Sequence, residues 1–222
     1  MKDKAVLFVL FFLLTMSSSA FSQSADEKVR FHIAPLNFFD PITGVLQIGI
    51  QKHIHQRFAL SLDHGFKMQA FRNLVMDGES ERKNYRYSKT KAELKYFVGQ
   101  PKSVASSYLS MEGMYFPQQY VKEQDYLITN NSYYRFDYSD IKRTVWVASL
   151  KYGIEIKVNN FVFDHFFGLG VRRLSIAHKP VGLVEHEYFE ETDVWFPPID
   201  RKEGAFYRPH VSMGVKVGYI IK

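Results

Sequence analysis

Residues 210–222 alternate between apolar and polar side chains. One set is apolar: Val211, Met213, Val215, Val217, Tyr219 and Ile221. The other set is polar or small, with Ile220 as the exception: His210, Ser212, Gly214, Lys216 and Gly218. Successive side chains of a β-strand point to opposite faces, so this segment predicts a strand with one apolar and one polar face. Each strand of a transmembrane β-barrel needs that pattern, since its outer face contacts lipid and its inner face lines a polar interior.

Seven further segments alternate in the same way, whereas helical periodicity is not found beyond the first residues. The predicted strands cover residues 29–36, 44–52, 58–69, 88–98, 108–121, 144–157, 161–177 and 206–222. Short connections at 53–57, 99–107 and 158–160 alternate with long ones at 71–87, 122–143 and 178–205, although 37–43 is also short. We therefore predict an all-β fold for residues 29–222: an eight-stranded antiparallel transmembrane β-barrel with short periplasmic turns and longer extracellular loops.

The start of the chain has the form of an export signal. Lys2 and Lys4 precede an apolar run at 5–15, and small residues follow it. A helix from this run would be too short to cross about 30 Å of hydrocarbon, so the pattern predicts a cleaved signal peptide at 1–22. Residues 23–28 then form a short N-terminal segment. The chain contains no cysteine, which excludes disulfides and thiolate metal sites.

Glycines indicate which face of the predicted barrel points inward. All but one strand glycine lie on the polar faces: Gly49, Gly65, Gly153, Gly168, Gly170, Gly214 and Gly218. Only Gly113 lies on an apolar face. The interior of an eight-stranded barrel has just enough room for side chains, so small residues belong there. Glycine on a solvent-facing strand surface would only weaken the strand, which argues against a water-soluble barrel of the lipocalin type.

Charged residues on the polar faces predict a luminal charge network. Its predicted cations are Lys91, Lys95, Lys151, Arg172 and Lys216. Its predicted anions are Asp63, Glu93, Glu112, Glu155 and Asp164. Equal numbers of the two signs permit a neutral interior if the charges pair, because an unpaired buried charge is strongly destabilising.

With these features the chain resembles the small eight-stranded outer-membrane barrels of Gram-negative bacteria, of the OmpA-transmembrane, OmpX and OmpW kind. It looks most like the uncharacterised barrel proteins of Bacteroidota, whose signal peptides similarly end near Phe-Ser-Gln, here at 21–23. The resemblance covers 29–222 and is one of pattern. It implies a monomer in the outer membrane, in contact with its lipid and with lipopolysaccharide. It also implies assembly by periplasmic chaperones and the barrel-assembly machinery, with no nucleic acid and no cofactor.

Basic residues gather where the predicted strands meet the long connections. Four of them are predicted to contact lipopolysaccharide phosphates, which arginine binds well: Lys142, Arg143, Arg173 and Arg208. The connection 178–205 combines acidic residues with a Trp-Phe-Pro-Pro sequence at 195–198. It is either a recognition surface or a solvated loop, since binding residues concentrate on loops.

No catalytic motif is complete, so we expect a structural or surface-interaction role without enzymatic activity. Two alternatives stay open: a narrow channel or lateral transporter of small or apolar solutes, and a lipid A-modifying enzyme. The second rests on His210-x-Ser212, which is similar to the His-x-Ser-Asn of the outer-membrane lipid A deacylase but has Met213 in place of Asn. His53 and His55 supply two ligands where a structural zinc site takes four, so we expect a solvated turn and no metal.

Overall fold

The computed structural model describes residues 29–39, 43–68, 82–98, 104–129, 132–186 and 199–221. The predicted signal peptide at 1–22 and the segment 23–28 lie outside the described residues. Within the described ranges, no helix is both long and apolar enough to cross a membrane. Apart from two short 3-10 helices, the regular structure in these ranges consists of strands.

Nine strands and two 3-10 helices follow one another along the described chain. They are β1 (Val29–Ile33), η1 (Pro35–Phe39), β2 (Val45–His55), β3 (Phe58–Lys67), β4 (Lys83–Val98), β5 (Ala105–Thr129), β6 (Ser132–Val158), β7 (Phe161–Val181), β8 (Val184–His186), η2 (Ile199–Arg201) and β9 (Gly204–Ile221).

Eight of the strands form a closed ring. Each strand from β1 to β6 pairs with the next, β7 pairs with β9, and β9 pairs with β1. Every one of these pairings is antiparallel. The remaining strand, β8, pairs with β6 outside the ring. The predicted eight-stranded antiparallel barrel is therefore confirmed.

The two ends of the barrel differ. At one end, which we call the short-turn end, two-residue turns at 56–57 and 159–160 join neighbouring strands. At the opposite, projecting end, β5 and β6 are 25 and 27 residues long. A tilted strand needs only about 9–11 residues to cross a bilayer, so much of this hairpin stands beyond any membrane-spanning part.

The prediction of a long loop at 122–143 is wrong, because this segment continues the β5–β6 hairpin. The two strands stay paired from Lys122 opposite Ser139 to Thr129 opposite Ser132. Gln124 has a positive φ of 50°, and the Gln124–Asp137 pair is skipped in the ladder, although the register is the same on both sides of it. The buried positions of β5 change phase there, from Lys122 to Asp125, so the strict period-two pattern ends while the pairing continues.

The two other predicted long connections are shorter than expected. Residues 83–87 belong to β4, and residues 178–181 and 204–205 belong to β7 and β9. The rest of the first connection, 71–81, lies outside the described residues, as do 99–103 of the predicted turn and 187–198 with its Trp-Phe-Pro-Pro sequence.

Apolar side chains cover the outside of the ring, and charged side chains fill the inside. On β6, Leu150 is 65% exposed while its neighbour Lys151 is 2% exposed. On β9, Met213 is 75% exposed while Lys216 is 1% exposed. The barrel thus has an apolar outer surface and a polar interior, as transmembrane barrels do, whereas a soluble barrel has the opposite arrangement.

Luminal glycines give large side chains space against the barrel wall. A Cβ atom on Gly218 would lie 2.6 Å from Cδ of Arg30, and one on Gly153 would overlap the ring of Tyr108. By contrast, a Cβ atom on Gly113, which faces outward, would meet nothing within 4 Å. The inward preference of glycine therefore follows from crowding inside a narrow barrel.

Candidate functional site in the barrel lumen

The lumen contains three layers along the barrel axis. At the short-turn end, Ala59, Phe97 and Tyr108 form a buried aromatic plug. A layer of charged residues, the charge network, follows it. Toward the projecting end lie two packed groups, which we call the upper apolar layer: Tyr85, Tyr120, Ile141 and Ile176 in one, and Phe116, Val145, Val147 and Leu174 in the other.

The first part of the charge network surrounds Glu155 and Asp164. The Lys95 ammonium lies 2.9 Å from Glu155 and 2.5 Å from Asp164. Arg30 Nη2 lies 2.8 Å from Glu155. The hydroxyl of Tyr108 donates a hydrogen bond of 2.6 Å to Asp164, which joins the network to the aromatic plug.

The second part is a chain of shared carboxylates. Lys216 lies 3.2 Å from Asp63 and 2.9 Å from Glu93. Lys151 lies 3.1 Å from Glu93 and 2.6 Å from Glu112. Each lysine therefore bridges two acids, and Glu93 in turn bridges the two lysines.

Neutral side chains provide further hydrogen bonds to these carboxylates. Gln47 donates to Asp63 over 2.9 Å, and Ser110 donates to Glu93 over 2.7 Å. His32 Nε2 lies 2.8 Å from Asp63 Oδ1. Buried ions are stable only when such bonds replace the lost water. The carboxylates of this network have such bonds, whereas Arg30 Nε and His32 Nδ1 are buried without a partner among the described residues.

The structure brings together most of the ten side chains predicted for this network. Those joined by ion pairs are Asp63, Glu93, Lys95, Glu112, Lys151, Glu155, Asp164 and Lys216. Lys91 and Arg172 face the lumen, but no ion pair or hydrogen bond joins either of them to another described residue. Arg172 is eight positions from Asp164 along β7, a distance of about 26 Å at about 3.3 Å per residue.

Sequence reasoning missed Arg30 and His32, which β1 contributes to the network. The signal was present, since Arg30 and His32 alternate with Val29, Phe31 and Ile33. The short length of β1 made that alternation weak. In the charge network, Arg30 is therefore the arginine that pairs with the carboxylates, a role that the prediction gave to Arg172.

Asp200 closes the lumen toward the projecting end. Asp200 belongs to η2. Its carboxylate lies 2.7 Å from the guanidinium group of Arg82, which directly precedes β4, and 3.0 Å from that of Arg143 in β6. Burial alone would raise the pKa of the Asp200 carboxyl, but the two guanidinium groups lower it below its ordinary value. Beside it, Arg201 lies 2.7 Å from Asp125, which ties η2 to the projecting part of β5.

The four residues predicted to contact lipopolysaccharide lie on different faces. Lys142 and Arg173 are exposed on the outside of the barrel. Arg143 instead faces inward to Asp200, and Arg208 lies opposite Arg172 on the luminal face of β9. Arg143 and Arg208 are therefore misplaced in that prediction, because alternation along β6 and β9 turns them away from surrounding lipid.

The histidines show no catalytic or metal-binding arrangement in the described ranges. His210 and Ser212 face the lumen opposite Gly170 and Gly168, and no hydrogen bond joins them. His53 is not in a solvated turn, because it belongs to β2 and stacks on Phe97 with ring centroids 5.2 Å apart. No group of three or more potential ligands for a metal occurs among the described residues.

Replacing Lys216 by methionine should destabilise the barrel strongly. Asp63 and Glu93 would lose a shared, buried cation, and breaking a buried pair costs about 3–5 kcal/mol. Urea unfolding of the purified protein, followed by tryptophan fluorescence, measures the change. The matched control is Lys83→Met, whose ion pair with Glu123 has side chains 62% and 48% exposed. Exposed ion pairs contribute less than about 1 kcal/mol to the free energy of unfolding. An equal loss of stability in both variants would therefore contradict the assignment of Lys216 to a buried ion-pair network.

Acid should release η2 from the barrel mouth. The pKa of Asp200 in the folded protein is below the ordinary 3.8, so its ion pairs stabilise η2 fully above that pH. Their contribution is lost as the pH falls through the lowered value. Hydrogen exchange of residues 199–204 measures this, as protection relative to the intrinsic exchange rate at the same pH, and we expect protection to be lost in acid. In Asp200→Asn, protection should already be low at neutral pH; high, pH-independent protection in both proteins would refute the role of Asp200.

No protein-family model matches the chain, and no curated protein sequence matches it. The chain is similar to the crystal structure of CarO from Acinetobacter baumannii, with a TM-score of 0.40 and 10% sequence identity, over 90% of this chain and 99% of that one. A similarity of this degree supports no argument about function. The fold described above rests on the strand pairing alone.

Proposed function

We propose that this chain is a non-enzymatic outer-membrane β-barrel with a closed lumen, which anchors an ordered β-sheet at the cell surface. The observation that carries the proposal is the combination of an apolar exterior with a lumen filled by paired charges. The surface role is assigned to the projecting sheet, which consists of the parts of β5, β6, β7 and β8 beyond the barrel.

The exterior supports a location in a bilayer. Exposed apolar side chains occur on all eight strands of the ring, including Phe31, Ile48, Leu62, Leu94, Met111, Leu150, Leu169 and Val211. Aromatic pairs lie on the outside: Tyr115 and Trp146 have ring centroids 4.5 Å apart, and Phe161 and Tyr219 have centroids 5.3 Å apart. Aromatic rings of this kind are enriched where a membrane meets water.

The filled lumen supports a structural role over transport. Lys95 is 0% exposed and Glu155 is 1% exposed, so paired charges fill the lumen around them. The aromatic plug blocks the same lumen nearer the short-turn end. Eight strands leave an interior only wide enough for side chains, and here large side chains occupy it.

The projecting sheet supports a role in surface interactions. Pairing of β6 with β5, β7 and β8 keeps it regular well beyond the ring. Three of its apolar side chains are 46–65% exposed: Tyr138, Val181 and Val184. Leu183, in the connection between β7 and β8, is 45% exposed. Exposed apolar side chains on an ordered sheet form a surface against which another molecule can bury apolar area of its own.

We further propose that Lys142 and Arg173 contact lipopolysaccharide. Arg173 lies opposite Trp146 in the β6–β7 pairing, and Lys142 is four residues beyond Trp146 toward the projecting end. Both cations therefore lie at or beyond an interfacial aromatic residue, where phosphate groups are expected. Arg143 and Arg208 have no part in this contact.

Purified protein in a planar bilayer should give no sustained ion current, because paired charges fill the lumen. Single-channel recording over a range of voltages measures this. An open porin prepared in the same detergent serves as the positive control for insertion. Steady unitary currents from the wild-type barrel would contradict the closed lumen and favour the transport alternative.

Single cysteines should report which end faces the outside, since the chain has none of its own. Leu183→Cys is at the projecting end and Gln56→Cys is in a turn at the short-turn end. A membrane-impermeant maleimide added to intact cells should label the first variant and not the second. Both should react after cell lysis, which controls for thiol accessibility. Labelling of Gln56→Cys alone in intact cells would reverse the proposed orientation.

A further inference from the structure

Two arginines face each other inside the barrel, on the projecting side of the charge network. Arg172 of β7 is directly opposite Arg208 of β9, and His210 is opposite Gly170 one luminal position below. Like charges directly opposite one another destabilise a sheet. The electrostatic fields of Arg143 and Arg208 both act on Arg172, so this part of the lumen concentrates positive charge.

No carboxylate among the described residues neutralises this pair. Arg172, Arg208, His210 and Lys91 form no ion pair or hydrogen bond with another described residue, and Arg172 Nε is a buried donor without a partner. The network acid whose charge acts on His210 is Glu112, which already binds Lys151 at 2.6 Å. Asp200 is likewise shared between Arg82 and Arg143.

The charge balance of the lumen leaves both arginines in excess. The network contains four permanent cations, Arg30, Lys95, Lys151 and Lys216, and five carboxylates, Asp63, Glu93, Glu112, Glu155 and Asp164. Lys91 also faces this layer, where Glu112 and Asp63 attract it, so it offsets the fifth carboxylate. Arg172 and Arg208 then remain without a counter-charge from the described residues.

The surroundings of these side chains contain space that the charge network lacks. Arg172, Arg208, His210 and Lys91 are each partly exposed, although all four point into the lumen. Lys95, Lys151 and Lys216, by contrast, are at most 2% exposed. Gly170, which lies opposite His210, is also partly exposed.

We propose that Arg172, Arg208, His210 and Lys91 form a luminal binding site for a small phosphate-type oxyanion. Two guanidinium groups on neighbouring strands present planar sets of donors, which match the oxygens of phosphate. The imidazole and the ammonium group add donors from β9 and from β4. Bound phosphate supplies the counter-charge that the described residues do not, and it converts the repulsion between Arg172 and Arg208 into shared attraction.

The site is assigned to a free solute and not to a lipid headgroup. The four side chains lie on the inner face of the ring, and the strand backbones separate them from the surrounding lipid. Lys142 and Arg173, which face outward, are the cations available to lipopolysaccharide. The luminal site is independent of the proposed surface role, because the barrel encloses it whatever the projecting sheet binds.

Isothermal titration of the folded, lipopolysaccharide-free protein in detergent with inorganic phosphate tests the site. Sodium chloride holds the ionic strength constant. We expect saturable binding by the wild type. Arg172→Gln and Arg208→Gln should each weaken it about tenfold or more, the effect of losing one charge-assisted contact. Arg57→Gln is the matched control, because it removes an exposed arginine from the turn at the short-turn end and should leave phosphate affinity unchanged.

Unfolding midpoints separate binding from a structural role. Without phosphate, Arg172→Gln should raise the urea midpoint, because it removes a repulsion. Phosphate should raise the midpoint of the wild type and of Arg57→Gln but not that of Arg172→Gln. Added lipopolysaccharide should not compete with phosphate for the wild-type protein. Non-saturable binding, equal losses in Arg172→Gln and Arg57→Gln, a lower midpoint for Arg172→Gln without phosphate, or competition by lipopolysaccharide would each overturn the proposal.

Discussion

The ion pairs inside the barrel depend on one another and on closure of the sheet. Glu93 holds both Lys216 and Lys151, and each lysine also holds a second acid. Away from water such interactions are strong, but each unpaired charge would carry a large desolvation penalty. Asp63 and Lys216 are 153 positions apart in the sequence, so only a closed ring brings them together. Closure and charge pairing therefore stabilise the same state.

This central layer divides the lumen into regions with different properties. Toward the short-turn end, Phe97 and Tyr108 close the barrel with an aromatic plug that also donates a hydrogen bond to the network. Toward the projecting end, positive charge exceeds negative charge around Arg172 and Arg208. A barrel closed in the middle can still bind a solute from one side, and it can hold a rigid sheet above the membrane without conducting ions.

The strand positions were largely predictable, but the pairing of side chains across the lumen was not. Alternation placed Lys151, Lys216 and Asp164 on the inner face, because the period of two is a local property of the strand. It could not show which charges of neighbouring strands lie beside Arg172, since that depends on the register and tilt of those strands. The projecting hairpin was hidden for a related reason: pairing with β6 continues beyond Gln124, where strict alternation ends.

The sequence alone determined that this chain forms strands with one apolar and one polar face, and that glycine and charge belong to the enclosed side. Both follow from side-chain size and polarity at successive positions. Tertiary structure decided which charges meet, because an ion pair requires atoms within about 4 Å and residues in contact here come from distant strands. It also decided that Arg143 and Arg208 turn inward while Lys142 and Arg173 face outward. The site at Arg172 and Arg208 exists only because register places two arginines opposite each other.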